Sequence, residues 1–172
     1  MLMGPLVRRS WSPRGRTPVL YQRGRHHKKV SVIAALAVSP ARDHVRLYFR
    51  LHPNADIQGS HVICFLRHLD RELHGPWILI WDRLNAHRAK ITAQWIATRK
   101  NLQIVFLPSY APELNPVEYA WGYLKMNPLA NLALAETEQL ARATHGHARS
   151  LQRKQGLLRS FIRHSPLFLR LQ

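Results

Sequence analysis

Two carboxylates, and the segments that carry them, are where this chain could do chemistry. Asp82 ends the apolar run Pro76-Trp77-Ile78-Leu79-Ile80-Trp81. Glu118 closes the segment Leu107-Pro108-Ser109-Tyr110-Ala111-Pro112-Glu113-Leu114-Asn115-Pro116-Val117, with 35 residues between the two acids. A short apolar run bounded by turn residues reads as a buried strand. An acid at the end of such a strand stands where open α/β sheets place ligand chemistry. A second acid at the start of a later helix can meet it there. Two converging carboxylates suit a hard divalent cation, Mg²⁺ or Mn²⁺. Such ions clamp the attacking and leaving oxygens of a phosphoryl transfer.

Each acid also has a plainer reading. Asn115 is a good N-cap and Pro116 fits the first helical position. Glu118 then falls at the third helical position, where a capping box would use it. Capping and metal binding both account for Glu118 locally. The two prolines of the loop at 107–112 favour metal binding, because a stiff loop fixes a carboxylate in place. A strand-terminal Asp82 can simply close a turn. His87 has four readings open to it: metal ligand, proton carrier, phosphate contact or structural side chain. Arg88 and Lys90, at the next helix start, read as phosphate contacts, and His87 and Lys125 are grouped with them as DNA-facing candidates. Asp43, Asp56, Asp70 and Glu72 read as solvated.

The elements that must position these residues follow from periodicity and turn chemistry. Val30–Val38 is a continuous apolar run and predicts a strand. Val45–Leu51 alternates and predicts an antiparallel partner across the turn at 39–43. A helix is expected from Ser60, as N-cap, to Leu73, with Val62, Ile63, Leu66 and Leu69 on one face. Strand 76–82, helix 88–99, strand 102–107 and helix 116–125 follow. Their alternation implies parallel pairing, so the sheet is expected to be mixed. Asn127-Pro128 should end the last of these helices. The tail from Ala135 predicts two helices parted near Gln155-Gly156, with Leu140, Leu151, Leu157, Leu158 and Phe161 inward. A short strand is also expected at 18–22.

Charge points to the partner. The chain of 172 residues has a formal net charge of +17. Residues 1–42 carry 9 Lys/Arg and no acid, and residues 139–172 carry 7 and no acid. The segment 43–138 is nearly neutral, with 10 basic and 9 acidic residues. Basic arms flanking a neutral core suit a phosphate backbone. In the amino-terminal arm Arg8, Arg9, Arg14 and Arg16 are the expected contacts. The hydrophobic share of 46% fits a globular chain. No apolar run approaches the roughly 20 residues of a membrane span, and no signal-peptide pattern follows Arg8-Arg9. Cys64, the single cysteine, excludes an internal disulfide and is expected to be a buried thiol. A cytoplasmic, nucleoid-associated setting follows.

The segments "WILIWDRLNAHRAK" and "IVFLPSYAPELNPVEYAWGYLK" resemble the catalytic domain of DDE transposases from insertion sequences related to the mariner superfamily. The opening "PLVRRSWSPRGRTPVL" and the strand "SVIAALAVSP" extend the likeness over roughly residues 2–125. The resemblance implies an α/β, ribonuclease-H-like mixed sheet with flanking helices, two Mg²⁺ ions, and DNA strand cleavage and transfer. It makes Asp82 the second catalytic acid and Glu118 the third. It also implies a first catalytic Asp on a central strand directly ahead of the segment matching residues 1–5, and a helix-turn-helix region further upstream. On this reading both would precede Met1, leaving residues 1–128 as a partial catalytic domain and 129–172 as a basic helical tail. The expectation is a transposase fragment of weak or no activity alone, unless an upstream start or a restored frame completes it. Its expected partners are transposon-end and target DNA, with a second copy or a full-length transposase. The alternative is a non-catalytic DNA-binding fragment that regulates the complete enzyme.

Overall fold

The two apolar runs form the strands around which everything else packs. The computed structural model describes residues 6–19, 21, 29–134, 136–167 and 171. Strand β1 (Val30–Val38) pairs antiparallel with β2 (Val45–Pro53), in a register that sets Val30 opposite Pro53 and Val38 opposite Val45. Helix α1 (Gly59–Leu73) leads to β3 (Trp77–Trp81). After two short helices, α2 (Asn85–Arg88) and α3 (Lys90–Ala97), β4 (Leu102–Phe106) pairs parallel with β3. A 3₁₀ turn at Pro112–Leu114 precedes α4 (Pro116–Met126), α5 (Thr137–Gln152) and α6 (Gln155–His164).

Strand alternation sorts these elements into layers. Ile33, Ala35 and Ala37 of β1 and Leu79 and Trp81 of β3 pack with Val62, Phe65, Leu66 and Leu69 of α1. Ala34, Leu36 and Val38 turn the other way, with Val45 and Leu47 of β2, onto Leu124 of α4, Leu151 of α5 and Leu158 and Ile162 of α6. Gln152 and Gln155 reinforce that side by donating to the Leu47 and Val45 carbonyls at 2.7 Å each. Gly59 admits α3 closely: a Cβ there would lie 2.9 Å from Ile91 Cγ1.

Among the described residues the sheet is in two pieces, β1–β2 and β3–β4, not bonded to each other. One edge of β1 and one edge of β3 thus pair with no strand among the described residues, and α1 covers both pieces on the same side. β1 is apolar on both faces, the pattern of a central strand, yet only Val30 of its nine residues is fully buried.

Several expectations need correcting. The cap of α1 is Gln58, not Ser60, and His61 Nδ1 accepts the Gln58 N–H at 3.1 Å. The helix expected over 88–99 is two helices broken at Ala89, whose extended backbone (ψ 140) cannot continue the first. The tail helices part at Arg153-Lys154 rather than Gln155-Gly156. Cys64 is exposed, because it lies off the stripe formed by Val62, Phe65, Leu66 and Leu69; the Arg50 guanidinium donates to its Sγ at 2.7 Å. Of the strand expected at 18–22, positions 20 and 22 lie outside the described residues, and 18, 19 and 21 are in no strand.

Asp70 is not solvated either. Its side chain is 18% exposed. Asp70 Oδ1 accepts the Asn101 amide at 2.8 Å and the Trp77 indole N–H at 3.2 Å, tying α1 to the end of the β3–β4 unit where both strands begin. The Asn101 amide, then the Trp77 indole and nearby Arg99, hold this carboxyl below the usual range. A depressed folded pKa means the stabilisation is complete above the unfolded value of about 3.9 and disappears as pH falls through the folded one. Asp70→Ala should cost about 1–3 kcal/mol at neutral pH. Urea unfolding checks this, and the gap from wild type should narrow in acid.

Candidate active site

The parallel register brings the two acidic segments together. Trp81 lies opposite Phe106, and the Leu107 N–H donates to the Trp81 carbonyl at 2.8 Å. Asp82 therefore leaves β3 beside the point where the proline loop leaves β4. Its Oδ1 accepts the Leu84 N–H at 3.0 Å, closing the turn. The same oxygen accepts from His87 Nδ1 at 2.7 Å. Since a carboxylate only accepts, the proton is on Nδ1. The His87 ring stacks on Trp81, centroids 4.3 Å apart and planes 14° from parallel. The His87 hydrogen bond, with help from the Leu84 N–H and against partial burial, lowers the Asp82 pKa. Asp82 is thus ionised at neutral pH, with Oδ2 accepting no hydrogen bond from the described residues. Turn closure and a free carboxylate oxygen coexist in one side chain.

Glu118 follows a similar division of labour. Asn115 Oδ1 accepts the Val117 N–H at 3.2 Å and so caps α4. The Asn115 N–H is already used by the Pro112 carbonyl, at 3.0 Å. The Glu118 carboxylate closes no capping box and has no partner among the described residues.

Asp82 and Glu118 line one cleft of about 400 Å³, together with Arg83, Arg88, Tyr110 and Asn115. Pro108 and Pro112 stiffen its wall. Arg83 is braced there: its Nε donates to the Leu107 carbonyl at 3.3 Å and its guanidinium lies 5.4 Å from the Phe106 ring centre. All nine acids of the chain fall within the described residues, and only Asp82 and Glu118 line the cleft. No group of three or more His, Cys, Asp or Glu side chains among the described residues is placed to hold a metal. The donors present on the cleft, Asp82 Oδ2 and the Glu118 carboxylate, suit a hard cation whose remaining positions would go to water and phosphate oxygens.

The other expected contacts are spread more widely. Arg88 lines the cleft and is exposed. His87 is half-buried and engaged with Asp82 and Trp81. Lys90 opens α3 and Lys125 sits in the last turn of α4, both exposed and outside the cleft lining. Arg9, Arg14 and Arg16 are exposed on the amino-terminal arm, where the Arg16 N–H closes a turn onto the Pro13 carbonyl at 3.0 Å. Arg8 has a structural task too. Its guanidinium donates to the Met126 carbonyl at the end of α4, and its N–H donates to Asn131 Oδ1 at 2.7 Å. Residue type and spacing do not single out Arg83 or Tyr110. Arg83 adjoins Asp82 directly, and Tyr110 lies between the two loop prolines, so position next to the acids is the available signal.

The model of the family described as DDE superfamily endonuclease matches residues 3–141. The chain belongs to this DDE superfamily endonuclease family. None of the curated proteins matches it significantly. Among solved structures, the Mos1 mariner paired-end complex with Mn is similar at a TM-score of 0.67 and 18% identity, over 94% of this chain and 48% of that one. The Mos1 transposase paired-end complex with left transposon end gives a TM-score of 0.68 and 17% identity, covering 96% and 49%. The isolated Mos1 mariner catalytic domain gives a TM-score of 0.58 and 17% identity, covering 81% and 78%. The DDE chain thus has the mixed α/β, ribonuclease-H-like fold of a transposase catalytic domain. It spans about half the length of the Mos1 chains in the paired-end complexes. Among its described residues no helix is long and apolar enough to cross a membrane.

Proposed function

We propose that this chain is part of the catalytic domain of a DDE transposase, acting in DNA strand cleavage and transfer with Mg²⁺ or Mn²⁺. The observation that carries this reading is the shared cleft of Asp82 and Glu118, each with a carboxylate oxygen not committed to the fold. In this role the ion supplies Lewis acidity and charge neutralisation at a phosphate. The protein's part is to hold the two carboxylates on stiff backbone and to set Arg83 and Arg88 where phosphate oxygens would lie. His87 keeps Asp82 oriented through Oδ1 and leaves Oδ2 for the cation. The exposed arginines of the two arms follow the DNA backbone. The substrates are transposon-end and target DNA, and a second transposase copy completes the working assembly.

The same reading includes a strand inserted between β1 and β3 and carrying a further carboxylate. Its support is the pair of unpaired edges, the incomplete burial of β1, and a cleft with two acids where two-ion chemistry needs a shared third. Without that strand, cleavage is weak and DNA binding is the main activity.

Mn²⁺ titration followed by electron paramagnetic resonance tests the metal assignment. Glu118→Gln and Asp82→Asn should each weaken binding by at least the roughly 10–100-fold typical of losing a mere supporting group. Unchanged affinity in both variants would remove the assignment.

A further inference from the structure

Along the sequence the segment 43–138 is nearly neutral, but in space its charges separate. Asp82 and Glu118 face the acidic cleft, Asp70 is tied to Trp77 and Asn101, and Asp56 pairs with Lys29. The arginines of β2 and α1 gather elsewhere. Three contacts set the register between these two elements. His52 lies against His61 with ring centres 4.5 Å apart, the Arg50 guanidinium donates to Cys64 Sγ at 2.7 Å, and Tyr48 meets His68 edge-on at 5.9 Å. The same register sets Arg46 level with the last turn of α1. On α1 itself Ser60, Cys64, Arg67 and Arg71 follow at steps of four, three and four, which is one helix face, opposite the buried Val62, Phe65, Leu66 and Leu69. All four are exposed, as are Arg46 and Arg50. The acids of β2 and α1 are Asp70, committed as above, and Glu72 beside Arg71.

The fold makes little use of these cations. Arg46 and Arg67 have no partner among the described residues, and Arg71 only reaches back to the Arg67 carbonyl at 3.3 Å. Like charges gathered on one surface repel one another until an anion lies between them. Four guanidinium groups and no lysine suit phosphate, because each fork offers two parallel N–H donors. From Cys64 to Arg71 the helix rises about 10 Å. A duplex carries one phosphate for roughly each 1.7 Å of its axis, so several come within reach at once. None of these residues lines the acidic cleft. We infer that the β2–α1 seam is a second DNA track, on which Arg46, Arg50, Arg67 and Arg71 hold duplex backbone away from the reacting phosphate. This rests on the DNA-binding reading above and adds to it a surface outside both basic arms.

Cys64, exposed and the single cysteine, reports on the seam directly. The full chain is alkylated there with an azidophenacyl group, bound to saturating duplex DNA in EDTA, and irradiated. The label should cross-link to DNA. The same label at position 103, exposed on β4, in a chain carrying Cys64→Ser and Gln103→Cys should cross-link far less. Arg46, Arg50, Arg67 and Arg71 are then changed together to Gln and, in a separate chain, to Lys. The Gln set should make the salt slope shallower by about 0.9 for each lost phosphate, and so lower affinity on the order of 10²–10³-fold at 0.1 M salt. Its Cys64 cross-link should be lost even at saturating DNA. The Lys set should keep most of both signals. Exposed positions carry little stability, so Tm should be unchanged in both sets. A Cys64 cross-link no stronger than that at position 103, or a salt slope unchanged in the Gln set, would overturn the proposal. Equal competition for the cross-link by polyglutamate would also overturn it, because the seam would then suit an acidic protein. Failure of wild type to bind the duplex would remove the DNA-binding reading itself, whereas binding without a Cys64 cross-link removes only the track.

Discussion

Extending the chain ahead of Met1 with a strand that bears an aspartate is expected to raise Mg²⁺-dependent nicking of duplex DNA by on the order of 10³-fold or more, the scale of removing one electrostatic element from a phosphoryl-transfer site. The reason lies in geometry and charge. Asp82 and Glu118 are the acids of the cleft, and Asp82 already spends one oxygen on Leu84 and His87. Each hard ion also needs waters and substrate oxygens, so two carboxylates constrain one ion far better than two. A second ion would find no further carboxylate in the cleft among the described residues. The inserted strand should pair with the open edges of β1 and β3 and satisfy backbone groups there. The same strand with Asn in place of Asp should therefore raise the urea midpoint equally while leaving nicking low. Nicking assays and urea unfolding on the three proteins read the two effects separately. Robust nicking by the unextended chain, abolished by Asp82→Ala, would mean that another group supplies the missing charge.

DNA affinity should fall by about 10³–10⁵-fold between 50 and 200 mM salt, as for a protein making 6–10 phosphate contacts. The motive is the 16 Lys/Arg without an acid in residues 1–42 and 139–172. Not all of these are available to phosphate. Arg8 is engaged with Met126, and Arg159 donates to the Asp43 carbonyl, which binds the α6 side to the β1–β2 turn. Arg9, Arg14 and Arg16 remain exposed on the amino-terminal arm, and Arg149, Arg153 and Arg163 on the tail. Replacing Arg9, Arg14 and Arg16 with Gln should lower affinity alike for different sequences. The salt slope should become shallower by about 0.9 for each phosphate no longer neutralised. Filter binding across a salt series checks this, and an affinity that ignores salt would contradict it.

What can be read from the sequence is local. The bounds of β1 follow from an unbroken apolar run between turn residues, and the start of α4 follows from Asn115-Pro116. These depend on neighbours in the chain, so the chain reports them. The placement of Cys64 turns on one step around a helix, where Phe65 rather than Ile63 completes the buried stripe. The break at Ala89 has no glycine or proline to announce it. Asp70 is held by Trp77 and Asn101, and the second lies 31 positions away, so its role appears only with the tertiary fold. The candidate site shows the same divide. Asp82 and Glu118 stand out by residue type and by what flanks them. Their meeting in one cleft depends on the parallel register of β3 and β4, and the release of Glu118 from capping depends on Pro112 taking the Asn115 N–H. Neither is written in spacing. Tyr110 stays hidden because nothing in a sequence distinguishes a displayed tyrosine from a buried one.

Asp82 and Glu118 are expected to serve one divalent ion. Crystals of the full chain grown or soaked with Mn²⁺, with data collected at the manganese absorption edge, test it most directly. An anomalous peak is expected in the cleft, within about 2.0–2.3 Å of an oxygen from each carboxylate, with Asp82 Oδ2 as one ligand and His87 still bonded to Oδ1. A peak held by other residues, or a manganese-free cleft with the two carboxylates turned apart, would contradict it.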